Sequence, residues 1–290
     1  MLFPSPGVSS RIRESTTGIA VQRYSPFLDL QARLSSLGIS PHPSSRIKQY
    51  FQAVEIGNPD LNLTITAQQE LAQIALITSQ FGGRPPWKDE LLQCIQSDLA
   101  VPASISDKSK GRDTQFELYV AARMRMAGLG VQRQEPDLLC QHDGITFGIA
   151  AKRIKSRSKL LTRISEARDQ IIKSGFPGFI ALDLSPLQSN YYKPYQIKSF
   201  PEFTKLSEDF LDIEFESKTS EIRRSASHPK VIGIISFAIL CALDKGQKAQ
   251  RWMISPTHNG YALHGKNSAE ARFSYVIVDR LGRYPRNLPL

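Results

Sequence analysis

The chain has 290 residues, of which 41% are hydrophobic and 22% are charged, and its formal net charge is +10. This length and composition predict a soluble globular protein of one large or two modest domains, and they exclude collagen-like, low-complexity and wholly disordered chains. The excess of Lys and Arg favours nucleic acid, or another anionic surface, as the partner.

The cysteines and the apolar runs predict a cytoplasmic protein that does not enter a membrane. Cys94, Cys140 and Cys241 lie far apart and form no CxxC pair, which argues against a disulfide framework and a zinc ribbon. The first residues do not resemble a secretory signal. The longest apolar run, residues 231–243, is shorter than the roughly 20 residues that a membrane span needs, so we expect a buried strand there.

The N-terminal third predicts a helical module behind an arm. Residues 1–24 mix Ser, Pro, Gly and Arg without periodicity, which is typical of a flexible arm. Four helical patterns follow, and residues 101–111 form a polar stretch that indicates a linker. We therefore expect an arm at 1–24, an all-helical module at 25–105 and a second domain at 106–290.

In the second domain, predicted helices alternate with predicted strands. A helix at 113–127 precedes strands at 130–134, 137–141 and 145–154. Next come a helix at 158–173, a strand at 179–184, a long helix at 201–225 and a strand at 230–243. Further strands are predicted at 251–254 and 274–278. This order predicts an α/β domain in which helices flank a mixed sheet.

A tight hairpin is predicted to place an acidic and a basic side chain together. Asp143-Gly144 between two extended runs is a strong turn signal. A turn centred there pairs residue 137 with residue 150 and makes Lys152 a diagonal neighbour on the same face. We expect Asp137, Ala150 and Lys152 to share that face.

This arrangement suits the hydrolysis of a phosphodiester. Two carboxylates at such a position hold Mg²⁺, and a lysine ammonium orients the attacking water and neutralises the charge that develops on phosphorus. Both residue types also occur at such positions for purely structural reasons. In that alternative interpretation, Asp137 is only a turn residue after Pro136, and Lys152 only protects an edge strand from aggregation.

The chain resembles the PD-(D/E)xK nuclease superfamily over residues 111–185. The resemblance rests on Pro136-Asp137, on Ala150-Ala151-Lys152, on Glu117 in the preceding helix and on the α-β-β-β-α-β order. It implies a restriction-endonuclease-like fold and cleavage of DNA, less often RNA, with Mg²⁺ or Mn²⁺. It also implies that Asp137 and an acidic residue at position 150 bind the metal, and that Glu117 orients the site or adds a metal ligand. Lys152 would act on the water, and Gln170 would assist. Bacterial defence, restriction or repair would be the role of such an enzyme.

Ala150 departs from the superfamily, which has Asp or Glu at this position. One interpretation is natural loss, which leaves a catalytically silent nucleic-acid-binding protein, or an enzyme whose missing ligand comes from Glu117 or Glu166. The other is that an original acidic residue was deliberately replaced by alanine. The sequence alone leaves both open.

The segment after Lys152 carries much of the positive charge. Residues 152–173 hold eight basic residues and two acidic ones, so they contribute +6 of the net +10. We expect phosphate contacts from five of them, since cations beside a cleavage site supply affinity and register: Arg153, Lys155, Arg157, Lys159 and Arg163. The alternative is that they form a solvated helix face. A homodimer, a protein partner of the N-terminal helices and a purely structural or adaptor role also remain open.

Overall fold

A computed structural model describes residues 19–21, 26–56, 61–82, 87–96, 110–187, 195–244 and 251–283. The helices are α1 (Pro26–Ser36), α2 (Arg46–Ile56), α3 (Leu61–Phe81), α4 (Trp87–Gln96), α5 (Lys110–Met126), α6 (Leu160–Ser174), α7 (Phe200–Glu216), α8 (Thr219–Ala226) and α9 (Ala269–Arg283). The strands are β1 (Ile19–Val21), β2 (Gly130–Gln134), β3 (Asp137–His142), β4 (Ile145–Arg153), β5 (Gly178–Asp183), β6 (Tyr195–Ile197), β7 (Val231–Asp244) and β8 (Arg251–Ala262).

The described strands form one mixed sheet in the order β1-β8-β7-β5-β4-β3-β2, and β6 pairs with the last residues of β7. The central strands β4, β5 and β7 are parallel, while β2, β3, β8 and β1 add antiparallel edges. The helix α6 connects β4 to β5, as a parallel pair requires. The predicted class, α/β with helices flanking a mixed sheet, is confirmed.

Helices cover both faces of this sheet. One apolar cluster joins α1–α5 and α9 to one face, and a second joins α6, α7 and α8 to the other. The helices of the predicted N-terminal module thus share a core with α5 and the sheet. The predicted linker falls mostly on residues 101–109, which lie outside the described residues, as does most of the predicted arm. Three residues of that arm, Ile19–Val21, form β1 and pair with β8.

Two predictions downstream of β5 are wrong. Residues 274–278 lie within α9 rather than in a strand, because the buried positions there recur every three or four residues, at Ala271, Ser274, Val278 and Leu281. The single long helix expected at 201–225 is two helices, because Lys218 leaves the helical conformation with φ −133° and ψ 20°. No helix in the described part of the chain combines the length and the apolar character needed to cross a membrane.

Candidate active site

The hairpin β3–β4 has the predicted register. Leu138 pairs with Ile149 and His142 pairs with Ile145, so this register places residues 137 and 150 opposite each other just beyond the last pair. The turn residues Asp143 and Gly144 have φ values of 47° and 78°. Positive φ at both central positions matches the right-handed twist of the two strands, which fixes the register. The local sequence was therefore sufficient to predict this part of the site.

Asp137 and Lys152 lie side by side at the open end of the hairpin. The carboxylate oxygen Oδ2 of Asp137 accepts a hydrogen bond from the backbone N–H of Ala151 at 2.7 Å and lies 3.5 Å from Nζ of Lys152. Their side chains are 14% and 16% exposed, respectively. The predicted proximity of the two groups is confirmed. They lie at the carboxyl end of the parallel strand β4, where ligands bind in open α/β sheets.

Close backbone packing positions this acid. A Cβ added to Gly148 would lie 2.7 Å from Cδ of Pro136, so the proline ring occupies the space that any side chain at position 148 would need. Pro136 precedes Asp137 directly, and Gly148 also pairs with Gly178 of β5. The glycine thus lets the start of β3 lie close against β4.

Burial shifts the protonation of Asp137. Burial, together with the negative charge of Glu117, raises the pKa of its carboxyl group to about 6. The ammonium of Lys152, the N–H of Ala151 and the guanidinium of Arg133 act in the opposite direction without cancelling the effect of burial. Any additional positive charge close to Asp137 would therefore stabilise the ionised form of its carboxyl group.

Ala150 lies inside the core. It is fully buried and belongs to the apolar cluster that includes Leu160, Ile164 and Ile180. Side chains alternate along a strand, so position 150 lies on the same face of β4 as Lys152. A carboxylate at this position would leave the strand on the face that carries Asp137, among apolar neighbours.

Glu117, on α5, is held by an arginine that the sequence did not single out. Arg133 of β2 donates to Oε2 of Glu117, to Oε1 of Glu90 at 2.8 Å and to the backbone oxygen of Asp137 at 2.9 Å. One guanidinium therefore connects α4, α5 and β3. Together, Glu117 and Glu90 outweigh the effect of burial and raise the pKa of Arg133, so it remains charged. Its position in a short polar strand offered no signal that would separate it from a surface residue.

The two acids each retain an oxygen that can bind a ligand. Oδ1 of Asp137 and Oε1 of Glu117 make no hydrogen bond with any described residue. Asp113, one helical turn before Glu117, lies 4.0 Å from Nζ of Lys155. Burial raises the pKa of Asp113 despite Lys155, and the charge of Glu117 contributes to this rise. In the described part of the chain, three or more His, Cys, Asp or Glu residues do not come together as a metal site.

Comparisons of the chain with protein-family models, with curated proteins and with solved structures each found no match. The geometry and chemistry of the described residues therefore carry the functional argument.

Among the predicted phosphate-binding residues, Arg153 is already engaged by acidic side chains of the protein. Its side chain is 9% exposed, and its Nε lies 3.1 Å from Oδ2 of Asp183 on β5. Its guanidinium also lies 4.0 Å from Glu70 of α3. Glu70 is itself buried against the guanidiniums of Arg46 and Arg112. Burial opposes ionisation of Glu70, but the three guanidiniums lower its pKa overall.

The other four predicted phosphate contacts lie nearer the surface. Arg157 pairs with Glu214 of α7, and Arg163 pairs with Glu166 at 2.7 Å on α6. Lys155 is partly exposed and lies 4.0 Å from Asp113. Lys159 is exposed and forms no ion pair with the described residues, so its charge is the most available of the four to an added anion.

Gln170 lies on α6, as expected, and its Oε1 is buried without a hydrogen-bond partner among the described residues. Glu166, the other acid considered as a replacement ligand, is 45% exposed and occupied by Arg163.

Proposed function

We propose that this protein acts on DNA as a metal-dependent nuclease of the PD-(D/E)xK type, on a restriction-endonuclease-like fold, and that Ala150 weakens or abolishes cleavage. A role in bacterial defence or repair belongs to the same proposal. The observation that carries it is the contact between Asp137 and Lys152 across the β3–β4 hairpin, 3.5 Å apart at the carboxyl end of β4.

Two carboxylate oxygens, Oδ1 of Asp137 and Oε1 of Glu117, are available to Mg²⁺. This ion keeps several waters and is commonly bound through one or two carboxylates together with substrate phosphate oxygens. Asp137 Oδ1 and Glu117 Oε1 would be its protein ligands, and Mn²⁺ has the same preference for oxygen. When bound, the ion would supply Lewis-acid stabilisation of the phosphoryl oxygens.

Lys152 would act on the water and the phosphate, while the carboxylates hold the metal ion. Its ammonium lies beside the Asp137 carboxylate, and there it would orient water and offset negative charge that develops on the phosphoryl group. Lys155 and Lys159 would contact neighbouring phosphates of the strand, which supplies affinity without reading sequence.

A second candidate function is favoured by Ala150 itself. Its methyl group is fully buried against apolar side chains, and Arg133 occupies one oxygen of Glu117. A chain with this site would bind nucleic acid without cutting it. The two candidates share the binding step and differ only in cleavage.

The experiment restores the missing acid. Wild type, Ala150→Glu and the double variant Ala150→Glu/Lys152→Ala are incubated with supercoiled plasmid in Mg²⁺, in Mn²⁺ and in EDTA. The nuclease proposal expects nicking by Ala150→Glu with either metal, no nicking in EDTA and none by the double variant. Ala150→Asp provides a shorter acid, and circular dichroism establishes that each variant is folded.

Binding is measured on the same proteins. We expect the affinity for DNA to fall steeply with salt, because neutralised phosphates release counterions. Folded Ala150→Glu and Ala150→Asp that bind DNA but do not cut it would favour the silent binding protein. Affinity that does not depend on salt would contradict both candidates.

A further inference from the structure

A second basic site lies at the opposite end of the sheet from Asp137 and Lys152. There, a cavity of about 470 Å³ opens between the end of α8, the start of β7 and the end of β8. Its lining is Arg223, Arg224, Ser227, His228, Pro229, Leu263 and His264. Val231, at the start of β7, pairs with Gly178, the first residue of β5, whereas Lys152 pairs with Leu182 near its other end.

The two arginines of this cavity have no acidic partner in the described part of the chain. Arg223 and Arg224 are exposed and form no ion pair with any described residue. Among the described residues that line the cavity, none is Asp or Glu. Acids lie around it: Glu221 is on α8 itself, and Asp212 and Glu216 line a neighbouring cleft. Glu270 interacts electrostatically with His264 from the exposed start of α9.

Stabilising the end of α8 does not account for both arginines. Cations near a helix C-terminus interact favourably with its carbonyls. Arg168 of α6 already donates to the carbonyl of Ser225 in that turn, at 2.9 Å. The neighbouring Arg223 and Arg224 are therefore able to meet another anion.

Backbone contacts orient the two histidine rings of the cavity and leave Nε2 of His228 as a donor. Nδ1 of His228 accepts from the backbone N–H of Lys230 at 3.1 Å, which places the proton of the neutral ring on Nε2. Nε2 of His264 donates to the carbonyl of Val231 at 2.8 Å, so its Nδ1 is the remaining ring nitrogen. Both ring orientations are fixed before any ligand arrives, which reduces the entropic cost of binding.

An apolar cleft adjoins the basic cavity and shares Arg223 and Leu263 with it. The rings of Phe215 and Tyr261 stack there with centroids 4.0 Å apart. A cavity with two guanidiniums suits a compact dianion, and the adjoining cleft suits an organic group attached to it.

We propose that this cavity binds a phosphate monoester group through Arg223, Arg224 and His228. The group has two sources, a terminal phosphate of nucleic acid or a small phosphorylated molecule. The site does not depend on the nuclease proposal, because none of its residues belongs to the region around Asp137.

The test uses the full chain in EDTA with two matched pairs of probes. The first pair is one single-stranded oligonucleotide with a 5′-phosphate or a 5′-hydroxyl, labelled with fluorescein at its 3′ end and followed by anisotropy. The second is AMP and adenosine, followed by calorimetry. The variant is Arg224→Gln, and its matched control is Arg33→Gln on α1, which lies on the other side of the sheet.

We expect the wild type to prefer at least one phosphorylated probe over its unphosphorylated partner. Arg224→Gln should lose about tenfold or more of the affinity for that probe, as expected for a charge-assisted hydrogen bond, while Arg33→Gln keeps it. Preference in the oligonucleotide pair alone identifies nucleic-acid ends as the source, and preference for AMP identifies small molecules. Equal affinity within both pairs, or equal losses in the two variants, would overturn the proposal.

Discussion

Asp137 and Lys152 form an ion pair on adjoining antiparallel strands, with 3.5 Å between Oδ2 and Nζ, although burial works against the charge of the carboxylate. A buried acid that keeps its position at a cost in folding free energy is typical of functional sites. The cost of this arrangement can be measured without knowledge of the substrate.

The stability of the fold should depend on pH through Asp137. Its pKa is about 6 in the folded protein, above the ordinary value of 3.8, so the folded state binds the proton more tightly than the unfolded state does. The corresponding stabilisation is complete below about pH 4 and is lost as pH rises through 6. In EDTA, Asp137→Asn should therefore be more stable than the wild type at pH 8, by about 1–3 kcal/mol, with a smaller difference near pH 4.

Urea unfolding at several pH values measures this effect. Asp169→Asn is the control, because Asp169 is an exposed acid on α6. If Asp137→Asn proved less stable than the wild type at pH 8, the assignment of a desolvated carboxylate would be wrong.

Arg133 should contribute more to stability than a surface arginine does. Arg133→Gln breaks the contacts with Glu90 and Glu117 and leaves Oε2 of Glu90, which is already buried without a partner among the described residues, next to a second unpaired oxygen. We expect a loss of about 1–3 kcal/mol in the free energy of unfolding. Arg163→Gln, which removes an exposed pair on α6, should cost less than about 1 kcal/mol. Equal losses in the two variants would contradict this account of Arg133.

Replacement of Glu70 should destabilise the fold strongly. It lies between Arg46, Arg112 and Arg153, and the side chain of Arg46 has no exposed surface. Glu70→Gln leaves these buried cations without their shared counter-charge, so we expect a loss of about 3–5 kcal/mol in thermal or urea unfolding. Glu166→Gln serves as the exposed control. A Glu70→Gln protein as stable as that control would show that the cluster is solvated.

Any side chain at position 148 should lower the stability of the fold. The methyl group of Gly148→Ala would lie 2.7 Å from Cδ of Pro136, so the start of β3 must shift away from β4. We expect a loss of about 1–3 kcal/mol and a change in the backbone resonances of Asp137 and Ala151. Gly265→Ala is the control, because nothing lies within 4 Å of its added Cβ. Unchanged Asp137 resonances in Gly148→Ala would show that the packing relaxes elsewhere.

Turn geometry and side-chain alternation were enough to predict contacts that a single hairpin turn brings together. The Asp143-Gly144 turn and the alternation of side chains decided the pairing of β3 with β4, and hence the meeting of Asp137 with Lys152. The run at residues 274–278 misled the prediction, because a short apolar segment rich in β-branched residues is equally compatible with a strand. Its helical burial appears only when α9 packs on the sheet.

The sequence by itself therefore determined the α/β class, the hairpin and the two groups at its open end, since turn geometry and side-chain period act over a few residues. Only the tertiary structure decided that Arg133 holds Glu117, that Arg153 pairs with Asp183 and that Ala150 lies among apolar side chains. These partners lie on helices and strands whose meeting is not fixed by a hairpin turn. Which charges end up paired depends on how those elements pack, and no local pattern encodes that packing.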